Sequence, residues 1–185
     1  MTQIHPQPTP GTSNAPELVV EPATADDIDA MHQLIETTSR TTTVLPRSRE
    51  NIGLHLRDFL VVREGARILG CGALALFTRQ LAEIKSLVVV PELRGRGVGQ
   101  RLVRALVDEG RRLGVRRIFA LTDNPPFFER AGFTRVDKAT LPHKVWNECI
   151  HCPKFLNCQE DAVEMILGDA AGRSGAARSL EESEP

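Results

Sequence analysis

The sequence predicts an α/β domain: one central mixed β-sheet with helices on both faces. Three observations predict it. Apolar runs of strand length recur between Leu18 and Leu167, interrupted by segments whose apolar residues recur at helical spacing. The run Ala82 to Val90 is almost unbroken in its apolar character, as expected of a strand buried on both faces. Gly95 and Gly97 then separate that run from an amphipathic segment opening near Val98, with a third glycine at 99, a strand-to-helix junction typical of layered α/β architectures.

Each element follows from a local signal. Leu18-Val19-Val20 reads as a short strand. Thr24 with Asp27 fits a capping box, followed by Ile28, Met31, Leu34 and Ile35 on one helix face. Ser48 caps a second, short helix running through Ile52 and His55. Asp58 to Arg63 and Arg67 to Phe77 form a strand pair joined by Glu64-Gly65-Ala66, a hairpin signal. After the strand Ala82 to Val90, the residues Val98, Leu102, Val103, Leu106 and Val107 line one face of a helix ending near Gly114. Val115 to Leu121 is a further buried strand, and Pro126 to Ala131 a short helix stopped by Gly132. Phe133 to Val136 and Ala162 to Leu167 supply the closing strands. The order is β-α-α-β-β-β-α-β-α-β-β, without an internal repeat.

Bulk properties narrow the function. With 185 residues the chain reads as one domain over residues 17–167, flanked by polar, Pro-, Gly- and Ser-rich tails over 1–16 and 168–185 that are expected to be disordered. Apolar residues make up 41%, charged residues 25%, and the formal net charge is −1. Nucleic-acid and membrane-surface binding favour a strong basic excess, so neither is expected. No apolar run approaches the roughly 20 residues needed to span a bilayer. Met1 to Pro16 lacks a charged-then-apolar secretory pattern. Four cysteines make no disulfide scaffold in a chain of this size, and a reducing cytoplasm is the simplest compartment. Cys71, alone in an apolar strand, reads as a small buried hydrophobe.

The most specific signal is Arg94-Gly95-Arg96-Gly97-Val98-Gly99-Gln100. Alternate glycines let backbone N–H groups turn inward without Cβ interference. The same amides open a helix whose positive dipole end favours an anion. Arg94 and Arg96 add charge suited to a pyrophosphate. A Walker A loop requires Gly-Lys-Ser/Thr, and Gly99 is followed by Gln100 and Arg101. A Rossmann fingerprint requires a third glycine where Gln100 stands. The pattern Arg/Gln-x-x-Gly-x-Gly/Ala, present as Arg94, Gly97 and Gly99, resembles the coenzyme A signature of the GNAT acetyltransferase superfamily, over Leu18 to Leu167. The resemblance implies the GNAT acyl-CoA N-acyltransferase fold with acetyl-CoA as co-substrate. It implies backbone pairing of Leu87, Val88 and Val89 with the pantetheine arm, and a pyrophosphate cradle made by Gly95 to Gln100.

Amine acetylation needs a neutral amine, so a base near the acetyl group helps. Glu83 is a lone carboxylate in an apolar strand, where the family often places a catalytic glutamate. The alternative is a glutamate paired with Lys85 or Arg79. Many GNAT enzymes protonate the departing thiolate with a tyrosine. The matching position here is Phe128, and the chain contains no tyrosine; Phe128 is then expected to pack on the cofactor arm. Gly70 to Leu74, Leu81 to Leu87, Leu121 to Asn124, Phe127 to Phe133, Leu45 to Ser48 and Leu141 to Trp146 together resemble the short, single-domain amino-acid N-acetyltransferases that make N-acetylglutamate, the first step of arginine biosynthesis. A homodimer is common among those proteins. A glutamate acceptor brings two carboxylates, which suit Arg and Lys donors. Arg47, Lys85 and Lys144, with the hydroxyl of Thr122, are the candidate substrate ligands; Arg79 is a weaker one, and each cation is equally readable as a solvated surface group.

Cys149, Cys152 and Cys158 form a C-x2-C-x5-C cluster near His143 and His151. The spacing suits a structural zinc ion, free thiols packing the last loop, or a redox or iron–sulfur site. The leading expectation is a glutamate N-acetyltransferase. Its rivals are acetylation of another amine and a non-catalytic acetyl-CoA or metal sensor.

Overall fold

The computed structural model describes residues 18–141 and 158–168. The elements appear in the expected order: β1 (Val19–Pro22), α1 (Ile28–Ser39), α2 (Arg49–Leu54), β2 (Phe59–Glu64), β3 (Arg67–Leu76), β4 (Leu81–Val89), α3 (Val98–Arg112), β5 (Arg117–Thr122), α4 (Pro125–Glu129), β6 (Thr134–Val136) and β7 (Asp161–Ile166). The expected caps form. The Thr24 N–H and hydroxyl both donate to Asp27 Oδ2, at 2.8 and 2.9 Å, closing a 3-10 turn that precedes α1. Ser48 Oγ accepts from the Asn51 N–H at 3.1 Å and starts α2. Residues 1–17 and 169–185 lie outside the described residues.

The strands form one seven-stranded sheet, ordered β1-β2-β3-β4-β5-β7-β6. All neighbours run antiparallel except β4 and β5, which are parallel and joined through α3. Side-chain alternation sends Leu74, Ala82, Ile84, Ile118 and Ala120 to one face, where they pack with Val103, Leu106 and Val107 of α3. Cys71, Ala73 and Val88 face the other way, onto Met31 and Ile35 of α1 and Ile52 of α2. Helices therefore cover both faces. Cys71 is fully buried, and burial pushes its thiol up to about 12 despite the nearby charge of Arg47, so it is an inert core group.

Two irregularities in β4 shape the molecule. Cys71 pairs with Val88 but Ala73 with Lys85, so Gly72 alone faces both Ser86 and Leu87. Ser86 has φ 53° and is the one non-glycine residue with positive φ among the described residues. This bulge reverses the alternation: Ile84 before it packs on the α3 side, and Val88 after it on the α1 side. A Cβ at Gly72 would lie 2.9 Å from Leu87 Cδ1 and 3.1 Å from Leu106 Cδ1, so the crowded side of the bulge takes glycine. The second irregularity is a fork. β4 pairs with β5 only through Leu81↔Arg117, Ala82↔Ile118 and Glu83↔Phe119, after which the two strands part.

At the sheet's other end, Arg63 on β2 donates to Asp27 Oδ2 at 2.8 Å and pairs with Glu21 on β1. Burial works to raise the Asp27 carboxyl. Hydrogen bonds from the Thr24 amide, Arg63 and the Thr24 hydroxyl, together with the Arg63 charge, outweigh it and hold the group below its ordinary value of 3.8. A carboxyl depressed on folding stabilises the fold above its unfolded value, and that contribution fades as pH falls through the folded value. Asp27→Asn is therefore expected to melt lower than the parent near neutrality, with the gap narrowing as pH is lowered progressively below the ordinary carboxylate value of 3.8, which a pH series of thermal melts tests. Gly70 supplies a second prediction: an added Cβ would meet the Val88 carbonyl oxygen at 2.9 Å and Leu102 Cδ1 at 3.2 Å. Gly70→Ala is expected to cost about 1–3 kcal/mol of stability, read by urea unfolding.

Candidate active site

Where β4 leaves β5, a cavity of about 840 Å³ opens. Its walls are β4 from Glu83 to Val89, the end of β5 at Thr122, Phe127 and Phe128 of α4, and the segment joining α1 to α2. The pairing in the sheet explains what β4 offers. One edge is tied to β3 across the bulge, and beyond Glu83 the other no longer meets β5. Among the described residues no strand pairs with β4 on that side, and its backbone borders the cavity. Val88 itself is 2% exposed, with its side chain in the α1-side core, so it is the backbone of Leu87, Val88 and Val89 that suits an extended ligand.

The glycine loop closes one end. Gly95 and Gly97 take left-handed φ of 76° and 82°, where a side chain would be strained. Gly99 serves another purpose. It lies in the first turn of α3, and a Cβ there would stand 3.1 Å from the Phe127 ring. Gln100 Nε2 donates to the Phe127 carbonyl at 2.7 Å, binding the start of α3 to α4. The amides of Arg94 and Arg96 are engaged within the turn, donating to the Pro91 and Leu93 carbonyls, each at 3.2 Å. Those of Val98, Gly99 and Gln100 at the start of α3 have no intrahelical acceptor, Arg101 being the first to donate back, to the Gly97 carbonyl at 3.0 Å, and the N-cap Gly97 offers no side chain. With the helix dipole they make an anion-binding end. Arg94 Nε donates to the Val89 carbonyl at 3.2 Å, holding its charge at the cavity rim, and Arg96 is exposed on the loop.

Glu83 occupies the crotch of the fork. It is 9% exposed, lines the cavity, and has Lys85 Nζ 3.5 Å from its Oε2. Both readings of the sequence thus meet here: the carboxylate faces the cavity and is also paired with Lys85. The Lys85 ammonium lies 5.5 Å from the Phe77 ring centroid, and Lys85 too lines the cavity. Thr122 is 8% exposed; its Oγ1 accepts the Asn124 N–H at 3.0 Å, which leaves the hydroxyl proton to be donated. Arg47 enters from the α1–α2 segment. Its Nε donates to Ser86 Oγ and its Nη1 to Asn51 Oδ1, both at 2.6 Å, with the guanidinium carbon 5.9 Å from the Phe59 centroid.

Phe128 borders the cavity, but most of its ring is spent in the α3-side core. It stands edge-on to Phe127 at 5.2 Å and packs against Phe133 at 5.3 Å. Arg79 is exposed in the β3–β4 turn, away from the cavity wall. Lys144, His143, His151, Cys149 and Cys152 lie outside the described residues. Cys158 is half-buried at the cavity wall, with Sγ 3.7 Å from Lys138 Nζ and 3.8 Å from Glu160 Oε2. Among the described residues no group of three His, Cys, Asp or Glu is placed to hold a metal ion. Sequence reasoning missed Ser86 and Asn51. The one clue to Ser86 was the interrupted alternation at Lys85-Ser86, and nothing local marked Asn51.

Comparison with known proteins identifies the family. Residues 26–133 match the acetyltransferase (GNAT) family. An uncharacterized N-acetyltransferase of Chlorobaculum tepidum is 38% identical over 83% of this chain and 99% of its own. An amino-acid acetyltransferase of Mycobacterium tuberculosis is 30% identical over 70% of this chain and 76% of its own. Among solved structures, Rv2747 from Mycobacterium tuberculosis in complex with CoA aligns over 80% of this chain and 99% of its own, with TM-score 0.69 and 26% identity. N-acetylglutamate synthase from Neisseria gonorrhoeae, complexed with CoA and N-acetyl-glutamate, aligns over 82% of this chain but 35% of its own, with TM-score 0.73 and 26% identity. Among the described residues no helix is long and apolar enough to cross a membrane. A forked sheet, a glycine-opened helix and these relatives lead to one assignment: the chain belongs to the GNAT family of acetyl-CoA-dependent acetyltransferases.

Proposed function

We propose that the protein acetylates the α-amine of L-glutamate, giving N-acetylglutamate by direct transfer from acetyl-CoA with Glu83 as general base. The observation that carries this reading is the sharing of one cavity by Glu83, the stretch of β4 beyond its pairing with β5, and the cations Arg47 and Lys85. The fit to a coenzyme A thioester rests on the first-turn amides of α3, the left-handed glycines and the open β4 edge. Support for the acceptor comes from the relatives named amino-acid acetyltransferase and from the neighbour solved with N-acetyl-glutamate.

Bound acetyl-CoA supplies the acetyl group as a thioester. The protein's residues then divide the remaining work. Glu83 takes the ammonium proton, directly or through water, so that the amine attacks as a neutral nucleophile. Backbone N–H groups of Leu87 to Val89 polarise the thioester carbonyl. Gly95 to Gln100, with Arg94 and Arg96, hold the pyrophosphate. Arg47, Lys85, Lys144 and Thr122 bind the acceptor's carboxylates. No tyrosine exists to protonate the departing thiolate, and a thiol with pKa of about 8.5 leaves without a strong acid, its proton coming from water. A second acceptor class stays in view because the 38%-identical relative's name specifies no amine.

Release of free CoA thiol, followed across a panel of amino acids, polyamines and peptides, tests the acceptor. Glutamate is expected to give the highest kcat/KM, and a polyamine or peptide well ahead of it overturns the assignment. Glu83→Gln is expected to lower kcat roughly 10²- to 10⁴-fold while leaving CoA affinity near the parental value. An unchanged kcat in that variant removes Glu83 as the base. Gly97→Ala is expected to weaken CoA binding about tenfold by forcing a Cβ into left-handed backbone, as calorimetry can measure.

A further inference from the structure

We infer that Ser86 is a positioning residue for acceptor binding, its hydroxyl fixing the Arg47 guanidinium in the cavity from the left-handed turn of the β4 bulge. The inference rests on the reading of Arg47 as a ligand for an acceptor carboxylate. The bulge itself needs no serine. Glycine adopts φ near 53° without strain, and Gly72 already relieves the crowded side of the same irregularity. A residue with a side chain at that backbone conformation points to a use for the side chain. The contact that its Oγ makes supplies one: it accepts from Arg47 Nε at 2.6 Å, across 39 positions of sequence.

Asn51 completes the clamp from α2. Its Oδ1 accepts from Arg47 Nη1 at 2.6 Å, while its own amide is tied to the Ser48 cap. Phe59, fully buried, presents its ring 5.9 Å from the guanidinium carbon. Ser86 Oγ and Asn51 Oδ1 are neutral acceptors, so these two bonds orient the fork without themselves adding a negative charge to it. A planar donor fixed in this way is suited to bidentate recognition of a carboxylate, at a smaller ordering cost on binding. Ser86 lies in the cavity wall three residues after Glu83. The bulge thereby links the acceptor's anchor to the strand that carries the base.

A double-mutant cycle in the full chain tests this: parent, Ser86→Ala, Arg47→Ala and the double variant, with steady-state KM measured for L-glutamate and for acetyl-CoA. Ser86→Ala is expected to raise the glutamate KM about tenfold, leave the acetyl-CoA KM unchanged, and add nothing in the Arg47→Ala background. Ser86→Gly removes both the hydroxyl and the strain. It is expected to fold at least as stably as the parent and still show the raised glutamate KM. Additive losses in the cycle, or a parental glutamate KM in Ser86→Gly, overturn the inference. The parent enzyme separates this outcome from failure of the glutamate reading. If it prefers another amine, the glutamate assignment falls; the same cycle run with that amine then supports Ser86 by coupling or overturns it by additivity.

Discussion

The parting of β4 from β5 after Glu83 is the constraint on which the rest of the site depends. Had the strands stayed paired, the backbone groups of Ile84 to Val89 would be committed to β5 and no cavity would form between them. The fork instead makes an open strand edge in the middle of a sheet. That edge is otherwise a liability for pairing with foreign strands, and here it is walled by α4 and by the segment between α1 and α2. Phe127 and Phe128 stand on the β5 side of the opening, anchored through Phe133 and the α3-side core. They line the gap.

Around the fork, function is distributed by simple geometry. The dipole of α3 and its first-turn amides lie at the end of β4, where the chain has just left the sheet. The carboxylate of Glu83 lies at the crotch, where β4 is still held on both sides and positioned most firmly. Between them the bulge at Ser86 reverses the alternation. Regular alternation before it directs Lys85 with Glu83 to the α1 face, and the bulge returns Val88 to that face beyond it. A regular strand would send Leu87 to the α1 side and Val88 to the α3 side, exchanging the contacts that seat both helices.

The fold supports these positions from a distance. The half-buried Asp27–Arg63 pair, with Glu21, ties the start of α1 to β1 and β2, and α1 leads into the loop that delivers Arg47. Glycines divide their roles at the other end. Gly95 and Gly97 allow left-handed backbone, and Gly99 allows the Phe127 ring to approach α3. Three glycines at alternate positions look alike in sequence, yet two answer to torsion and one to space.

Much of this was legible in the residues themselves. The order of elements, the capping box at Thr24, the Ser48 cap, the glycine loop and the want of a tyrosine are properties of short stretches, governed by side-chain period, backbone stereochemistry and composition. The insertion of β7 between β5 and β6, the end of pairing after Glu83, the left-handed Ser86 and the contacts of Arg47 with Ser86, Asn51 and Phe59 were decided by the tertiary structure. Each is a contact between groups remote in the chain, chosen by which surfaces bury against each other, and no local period encodes that choice. Sequence therefore determined the parts and the anion-binding loop, whereas packing determined which strand edge stayed open and which side chains meet there.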